Sequence, residues 1–231
     1  MNQFNAETTA NHVRIDPLDK VGWLAGQPEA FIRWAAQVGR WKMFEKGQFI
    51  YHSGDPPDGV YGLASGGLQI TFPLVAETPV IIYRAEQGFW IGDSAELSGQ
   101  TRMVTVMAAS QTRMLHLPSW SIKVLLANCP EHWRSFYQLS AINVRLAITL
   151  LAEALSLTVR ARVCRRLLEL SNEGGSDASI TQDELSNLLG VTRPTLRRCL
   201  TDLHSQGAIE THYRNVRVLS PEILAAYSNE Q

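Results

Sequence analysis

Three arginines crowd one short stretch of this chain, Thr192-Arg193-Pro194-Thr195-Leu196-Arg197-Arg198-Cys199-Leu200-Thr201. A guanidinium presents its donors in a planar fork. That fork suits bidentate hydrogen bonding to a carboxylate, a phosphate or the O6/N7 edge of guanine. The local pattern predicts a helix that displays these arginines. Thr192 is an N-cap type of residue, and Pro194 falls in the first turn, where a missing N–H is tolerable. The capping bond should therefore go to the amide of Thr195. Helical spacing then turns Leu196, Leu200 and Leu203 inward and Arg193, Pro194, Arg197, Arg198 and Thr201 outward. Upstream, Thr181 and Glu184 form a T-x-x-E capping box for an earlier helix with a buried stripe of Leu185, Leu188 and Leu189. Gly190 supplies the turn between the two helices, because it accepts a left-handed backbone at little cost. Downstream, Gly207 ends the second helix. Residues Ala208 to Leu219 alternate around Tyr213-Arg214-Asn215 as a two-stranded wing, and Ser220-Pro221 start a last short helix.

A helix over Arg160 to Leu170, with Val163, Leu167, Leu168 and Leu170 inward, precedes the polar stretch Ser171-Asn172-Glu173-Gly174-Gly175-Ser176, which reads as a loop. Helix, helix-turn-helix and hairpin together make a winged helix domain. Its expected partner is double-stranded DNA. The DNA-facing set comprises Thr181, Thr192, Arg193, Pro194, Thr195, Arg197, Arg198 and Thr201, with Arg214 and Arg217 in the wing. Helix arginines can read guanine in the major groove, whereas wing arginines touch phosphates and position the domain. The competing reading is a winged helix used for protein contact, with the arginines as a solvated face; the balanced charge of the segment fits it. The coincidence of turn, caps, arginine face and wing favours DNA.

The rest of the composition narrows the choice. With 231 residues the chain is long enough for two modest domains, and its net charge of -1 means that any basic surface is local. Cys129, Cys164 and Cys199 are far apart, with no CxxC or Cys/His cluster, so neither a structural zinc site nor any other metal site is expected. Scattered thiols suit a reducing cytosol, and a cytoplasmic location follows. No apolar run reads as long enough to span a bilayer, and no membrane partner is expected. There is no G-x-S-x-G, H-E-x-x-H or P-loop and no convincing nucleophile-base pair, so the chain is not read as an enzyme.

These side chains need elements to hold them. Met1 to roughly Asp16 is polar and aperiodic, as in a flexible arm. Pro28 to Gly39 has the spacing of a short amphipathic helix. From Phe44 to about Leu117, short apolar segments such as Gly67–Phe72 and Met103–Met107 alternate with glycine turns, which predicts a small antiparallel barrel or sandwich. Pro118 to Asn128 reads as a short helix, with Pro118 at its first position. A long helix follows from about Pro130 to Leu157. Tyr137, Ala141, Val144, Ile148, Leu151 and Leu155 fall on it in the 4-3 spacing of a coiled-coil seam. A second stripe, Leu139, Ile142, Leu146 and Leu150, can pack on the barrel. Periodicity alone does not decide between a homodimer seam and one broad core-facing surface.

In combination these motifs resemble the CRP/FNR superfamily of bacterial transcription regulators. The barrel is similar to the family's cyclic-nucleotide-binding β-roll: Gly47-Gln48-Phe49-Ile50, Gly54-Asp55-Pro56-Pro57-Asp58-Gly59-Val60-Tyr61, Gly66-Gly67-Leu68-Gln69-Ile70, Gly88-Phe89-Trp90-Ile91-Gly92-Asp93 and the Arg102 segment occur in the family's order. The stretch from Thr192 to Arg198 resembles the start of its recognition helix. The resemblance implies an α+β fold: an arm over 1–19, an antiparallel, jelly-roll-like β-roll sensor over 20–128, a dimerisation helix over 129–157, and a winged helix-turn-helix over 158–231. It implies a homodimer on an inverted-repeat operator, contact with RNA polymerase if the protein is an activator, and a hinge near Leu157 to Arg160.

The same resemblance implies an effector pocket at Gly92, Asp93, Ser94, Arg102, Met103, Ala147 and Ile148. Members that bind cyclic AMP use Gly-Glu, Arg-Ser and a polar pair on the dimer helix. Here those positions hold Gly92-Asp93, Arg102-Met103 and Ala147-Ile148. Each lost buried hydrogen-bond partner costs about 1–3 kcal/mol, and together such losses weaken binding by orders of magnitude. A small-molecule effector other than cyclic AMP, or none, is expected. The alternatives are a regulator that does bind cyclic AMP or cyclic GMP, and a module acting through protein partners. Arg102 left without a ligand should pair with Asp93 or Glu96. No cysteine precedes Cys129, so the family's N-terminal iron–sulfur cluster is not expected. His52, His116 and His132 stand alone as haem-ligand candidates, and Cys199 reads as a buried, inert thiol, with a redox switch as the alternative.

Overall fold

The computed structural model describes residues 14–73, 80–174, 177, 178, 180–212 and 215–230. These divide between two compact units, one within residues 1–75 and 83–143, the other within 76–82 and 144–231. The boundary falls inside a single long helix.

The first unit opens with two helices, α1 (Gly22–Ala25) and α2 (Glu29–Val38). Strands β1 (Arg40–Phe44), β2 (Phe49–Tyr51), β3 (Gly59–Ser65), β4 (Leu68–Phe72), β5 (Val80–Ala85) and β6 (Trp90–Ile91) follow. After α3 (Asp93–Ser98) come β7 (Thr105–Ala108), β8 (Thr112–Pro118) and α4 (Ser119–Asn128). The strands form two four-stranded sheets, ordered β1-β8-β3-β6 and β2-β7-β4-β5. β3 and β8 are buried along almost their whole length, because both of their faces are covered. Leu63 and Met114 join Leu68, Ile70 and Val106 in one core. Val60, Ala64, Leu115 and Leu117 join the helical side chains Trp23, Leu24, Phe31 and Ile122 in another.

Several expectations shift here. The arm expected over 1–19 does not include Ile15 and Leu18, which are buried in the helical core. Residues 1–13 lie outside the described residues. Apolar side chains at 15 and 18 gain more from burial than a short polar tail loses in freedom. Pro118 closes β8 and caps α4 rather than opening it. The strand expected at Met103–Met107 starts at Thr105. Neither α1 nor α3 is visible in the sequence pattern, since each is too short to show a period.

A 3-10 turn over Pro130–His132 leads into α5 (Trp133–Ser156). The start of α5 is packed into the first unit: Phe136 and Leu139 are buried in the helical core. Of the second apolar stripe only Leu139 is buried, while Ile142 is 49% exposed. The helix is simply longer than the surface it packs on: 24 residues span about 36 Å. Tyr137, Val144, Ile148, Leu151 and Leu155 are each more than half exposed. By length and composition alone, Pro130–Ser156 is apolar enough to cross a bilayer, which corrects the reading that no run is. Its apolarity has two sources: residues such as Phe136 that pack on the roll, and the exposed apolar row from Tyr137 to Leu155.

The second unit continues with α6 (Val159–Gly174), β9 (Asp177–Ala178), α7 (Gln182–Leu189), α8 (Arg193–Ser205), β10 (Ile209–Thr211), β11 (Val216–Val218) and α9 (Pro221–Tyr227). Helix α6 runs through Ser171 to Gly174, which corrects the loop read there. Gly175 and Ser176 lie outside the described residues. The hairpin β10–β11 is a three-strand sheet with β9, ordered β10-β11-β9. Val163, Leu167, Ile180, Leu185, Leu196, Leu200, Leu203 and Val216 form one core beneath it.

Phe136 is the side chain on which the first unit's aromatic cluster converges. Its ring lies 5.5 Å from Phe31, 5.6 Å from Trp23 and 6.4 Å from Trp34. Phe136→Ala should destabilise this unit by about 3–5 kcal/mol, read as a fall in the urea midpoint of the first unfolding transition.

Candidate nucleic-acid interface

Local bonds set the helix-turn-helix. The Thr181 amide donates to Glu184 Oε2 at 2.9 Å, and the Glu184 amide donates to Thr181 Oγ1 at 3.2 Å. This reciprocal pair is the predicted capping box. Gly190 has φ +63°, the left-handed turn that an L side chain resists. Thr192 then caps α8, its hydroxyl accepting from the Thr195 amide at 3.4 Å. Leu196, Leu200 and Leu203 are buried. Arg193, Pro194, Arg197, Arg198 and Thr201 are exposed on the opposite side, and Thr181 and Thr195 are half-buried. The structure therefore brings the predicted helix residues onto one open face.

Two of them have contacts that the sequence does not advertise. Arg193 Nε lies 2.9 Å from Asp183 Oδ1 on α7, so this arginine begins with a carboxylate neighbour. The Thr201 hydroxyl donates to the Arg197 carbonyl at 2.9 Å. In the wing, Arg217 is exposed on β11 and its guanidinium lies 4.0 Å from Glu210. Tyr213 and Arg214 lie outside the described residues.

Of the predicted pocket residues, Gly92 meets Arg102, which is 3% exposed. Gly92, with φ +107°, brings its backbone so close that a Cβ there would stand 2.4 Å from Arg102 Nη1. Arg102 donates to the carbonyls of Gly92 at 3.1 Å and Gly59 at 2.8 Å, and to Asp58 Oδ1 at 2.7 Å. Its guanidinium also lies 4.3 Å over the Tyr51 ring. The carboxylate partner is thus Asp58, which corrects the expectation of Asp93 or Glu96. Asp93 is committed elsewhere: its two oxygens accept from Ser140 Oγ at 2.6 Å and Asn143 Nδ2 at 2.8 Å on α5. Glu96 accepts from Ser119 at 2.7 Å. Ser94 and Met103 are exposed. Ala147 and Ile148 belong to the other unit and are exposed as well.

Asp58 is also the meeting point of a wider polar group. Tyr61 donates to its other oxygen at 2.5 Å, His116 lies at 3.7 Å and Lys42 at 3.9 Å. Partial burial opposes ionisation of Asp58, but the Tyr61 hydrogen bond and the charges of His116 and Arg102 outweigh it and hold the carboxyl below its ordinary value. His116 is pushed the other way by its surroundings: burial first, then the Lys42 charge, lower its pKa below 6.5 despite the pull of Asp58.

A model of the Crp-like helix-turn-helix domain matches residues 161–227, and one of the cyclic nucleotide-binding domain matches residues 41–129. The chain belongs to the CRP/FNR superfamily. Its relatives include the CRP-like cAMP-activated global transcriptional regulator of Mycobacterium tuberculosis, 24% identical over 79% of this chain and 85% of that protein. The transcriptional activator protein anr of Pseudomonas aeruginosa is 25% identical over 84% of this chain and 82% of that one. Among solved structures, FixK2 from Bradyrhizobium japonicum shares the fold with a TM-score of 0.73 at 20% identity, covering 82% of this chain and 97% of that one. This CRP/FNR protein is accordingly a transcription regulator with a helix-turn-helix DNA-binding domain, and the two named relatives are regulators rather than enzymes.

Sequence reasoning missed the Asp58 partnership because 44 residues separate it from Arg102. The one available signal was an acidic residue beside the Gly59 turn. Cys164 is buried, and burial pushes its thiol up to about 12; Cys199 is half-buried and pushed up to about 11. Both thiols are therefore poor nucleophiles at neutral pH. Cys129, Glu131 and His132 converge with donor atoms within 4.8 Å of one another, which corrects the reading that no Cys/His cluster appears. Three donors on one turn fall short of the four that close a structural zinc site.

The His116 environment of this CRP/FNR roll has a pH consequence. The unfolded chain protonates this imidazole near its ordinary value of 6.5, and the folded roll only at lower pH. The unfolded state therefore binds more protons in that window, and stability falls as pH drops through 6.5. Urea midpoints at pH 7.5 and 5.5 should separate more for the wild type than for His116→Gln. An equal separation would remove His116 as the cause.

Proposed function

We propose that the protein works in the cytoplasm as a homodimer that reads an inverted-repeat operator in double-stranded DNA through α8. The observation that carries this reading is the face of α8: three exposed arginines, on a helix capped by Thr192, directly after the Gly190 turn. The wing positions the domain through phosphate contacts from Arg217 and Arg214. Dimerisation through α5 is supported by its exposed row of Tyr137, Val144, Ile148, Leu151 and Leu155, with the half-buried Ala141 in the same 4-3 spacing. A contiguous apolar seam on a regulator's helix calls for a partner, and a second copy supplies the same seam. A two-fold dimer in turn calls for half-sites about one helical turn apart. If the protein activates transcription, RNA polymerase is its second partner.

The effector of the roll is a small molecule other than cyclic AMP, or there is none. Asp93 already spends both oxygens on α5, Arg102 already has a carboxylate in Asp58, and Met103 replaces the hydroxyl that a phosphate needs. The second reading, cyclic AMP or cyclic GMP, is favoured by the matched cyclic nucleotide-binding domain and by the cAMP-activated mycobacterial relative. Calorimetric titration separates them: weak or absent heat is expected, and micromolar affinity for cyclic AMP would restore Asp93 and Arg102 as ligands.

Two substitutions test the assembly and the reading head. Ile148→Glu places two unpaired charges across the proposed seam, a change costly enough to split the dimer. Sedimentation should then show monomer, and an unchanged dimer would refute the seam. Arg198→Ala should cost about 1–3 kcal/mol per half-site and relax preference for one guanine. Binding-site selection reads both quantities, and an unaltered motif and affinity would displace α8 from the groove.

A further inference from the structure

Residues Ser228, Asn229 and Glu230 fold back onto the hinge between α5 and α6. The Thr158 amide donates to the Glu230 carbonyl at 3.1 Å. Arg160, in the first turn of α6, donates through Nε to Glu230 Oε2 at 2.7 Å, and its Nη2 pairs with Glu230 Oε1. The same guanidinium reaches Asp202 Oδ2 on α8 at 3.1 Å and lies 4.3 Å over the Tyr227 ring. Arg165 donates to the Ser228 carbonyl at 2.7 Å, to Asn229 Oδ1 at 2.7 Å and to Glu153 Oε1 at 2.6 Å. Four pieces of chain thus meet at two arginines: the end of α5, the hinge, α8 and the C-terminal turn.

The electrostatics explain why the carboxylate of Glu230 belongs there. A cation in the first turn of a helix opposes the helix dipole, and an anion beside it offsets that conflict. A network of this kind also holds side chains more firmly than an isolated surface pair. Asp202 is the next residue after Thr201 on α8, so the network grips the helix that carries the arginine face. Neither Arg160 nor Glu230 lies on that face.

We infer that Ser228–Glu230 form a clasp on the hinge, and that Arg160 and Glu230 are positioning residues for DNA reading, seating α8 through Asp202 without touching DNA. This rests on the reading of α8 as the recognition helix. It has a consequence opposite to that of simple charge. Glu230→Gln removes a negative charge and frees an arginine, so electrostatics alone would tighten DNA binding. A loosened recognition helix instead loses discrimination.

The test uses the full chain, the duplex that the wild type recovers by in vitro selection, and a scrambled duplex of equal length. For Glu230→Gln the ratio of specific to non-specific affinity should fall about fivefold, in line with partly exposed pairs acting together. Arg160→Gln should show a similar fall, and the double variant should be no worse than either single one. The dependence of affinity on salt should keep its wild-type slope in all three, because no phosphate contact is lost. Unaltered discrimination in Glu230→Gln, or tighter binding to both duplexes alike, overturns the clasp. So does a slope reduced by about one in Arg160→Gln, which would make Arg160 a phosphate contact. If Glu230→Gln lowers the folded content by circular dichroism, Asp202→Asn cuts only the arm to α8 and should still reduce discrimination; no change there also overturns the proposal. A wild type that selects no duplex fails the reading of α8 itself, which is a different result from variants that match a selective wild type.

Discussion

A guanidinium buried inside a β-roll keeps its charge, so the walls around it must supply what water no longer does. Arg102 is 3% exposed, and an uncompensated charge at that depth costs several kcal/mol. The roll answers with two backbone carbonyls, a carboxylate and an aromatic face. Each of these demands something of the fold. Gly92 must lack a side chain to let its backbone approach, Gly59 must turn its carbonyl inward, and Asp58 must sit between them on the loop before β3. The polar group around Asp58, with Tyr61, His116 and Lys42, follows from placing that carboxylate where Arg102 needs it.

The same economy governs Asp93. It opens α3 beside Gly92, and its oxygens accept from Ser140 and Asn143 on α5. The helix is thereby bonded to the floor of the roll at its polar positions and packed on it at Phe136 and Leu139. Beyond Asn143 the helix carries exposed apolar side chains. One helix therefore serves two surfaces, and the change of environment along it explains why its composition resembles a bilayer span while its pattern does not.

In the second unit, α8 is a compromise between capping and display. Leu196, Leu200 and Leu203 bind it to the core, which leaves the arginines on the outer side. Exposure alone would leave the helix free to tilt. Arg160 and the C-terminal residues restrain it from the side away from the arginine face, and Arg193 is restrained by Asp183 across the turn.

What the sequence determined by itself was whatever rests on bonds between near neighbours. The Thr181–Glu184 capping box, the Gly190 turn, the Thr192 cap and the periods of α5, α6 and α8 are all set within a few residues, so spacing reveals them. The arginine face was legible for the same reason, and the order of roll motifs through its resemblance to a known family. Tertiary structure alone decided the long-range polar partners. Asp58 with Arg102, Ser140 and Asn143 with Asp93, and Glu230 with Arg160 lie 44, 47, 50 and 70 residues apart. No periodicity links such positions; they become partners only when folding brings a carboxylate, hydroxyl or amide within reach of the group that needs it. The docking of Ile15 and Leu18 and the continuation of α6 to Gly174 belong with them, because in each case burial or the neighbouring strand, not local preference, sets where the element ends.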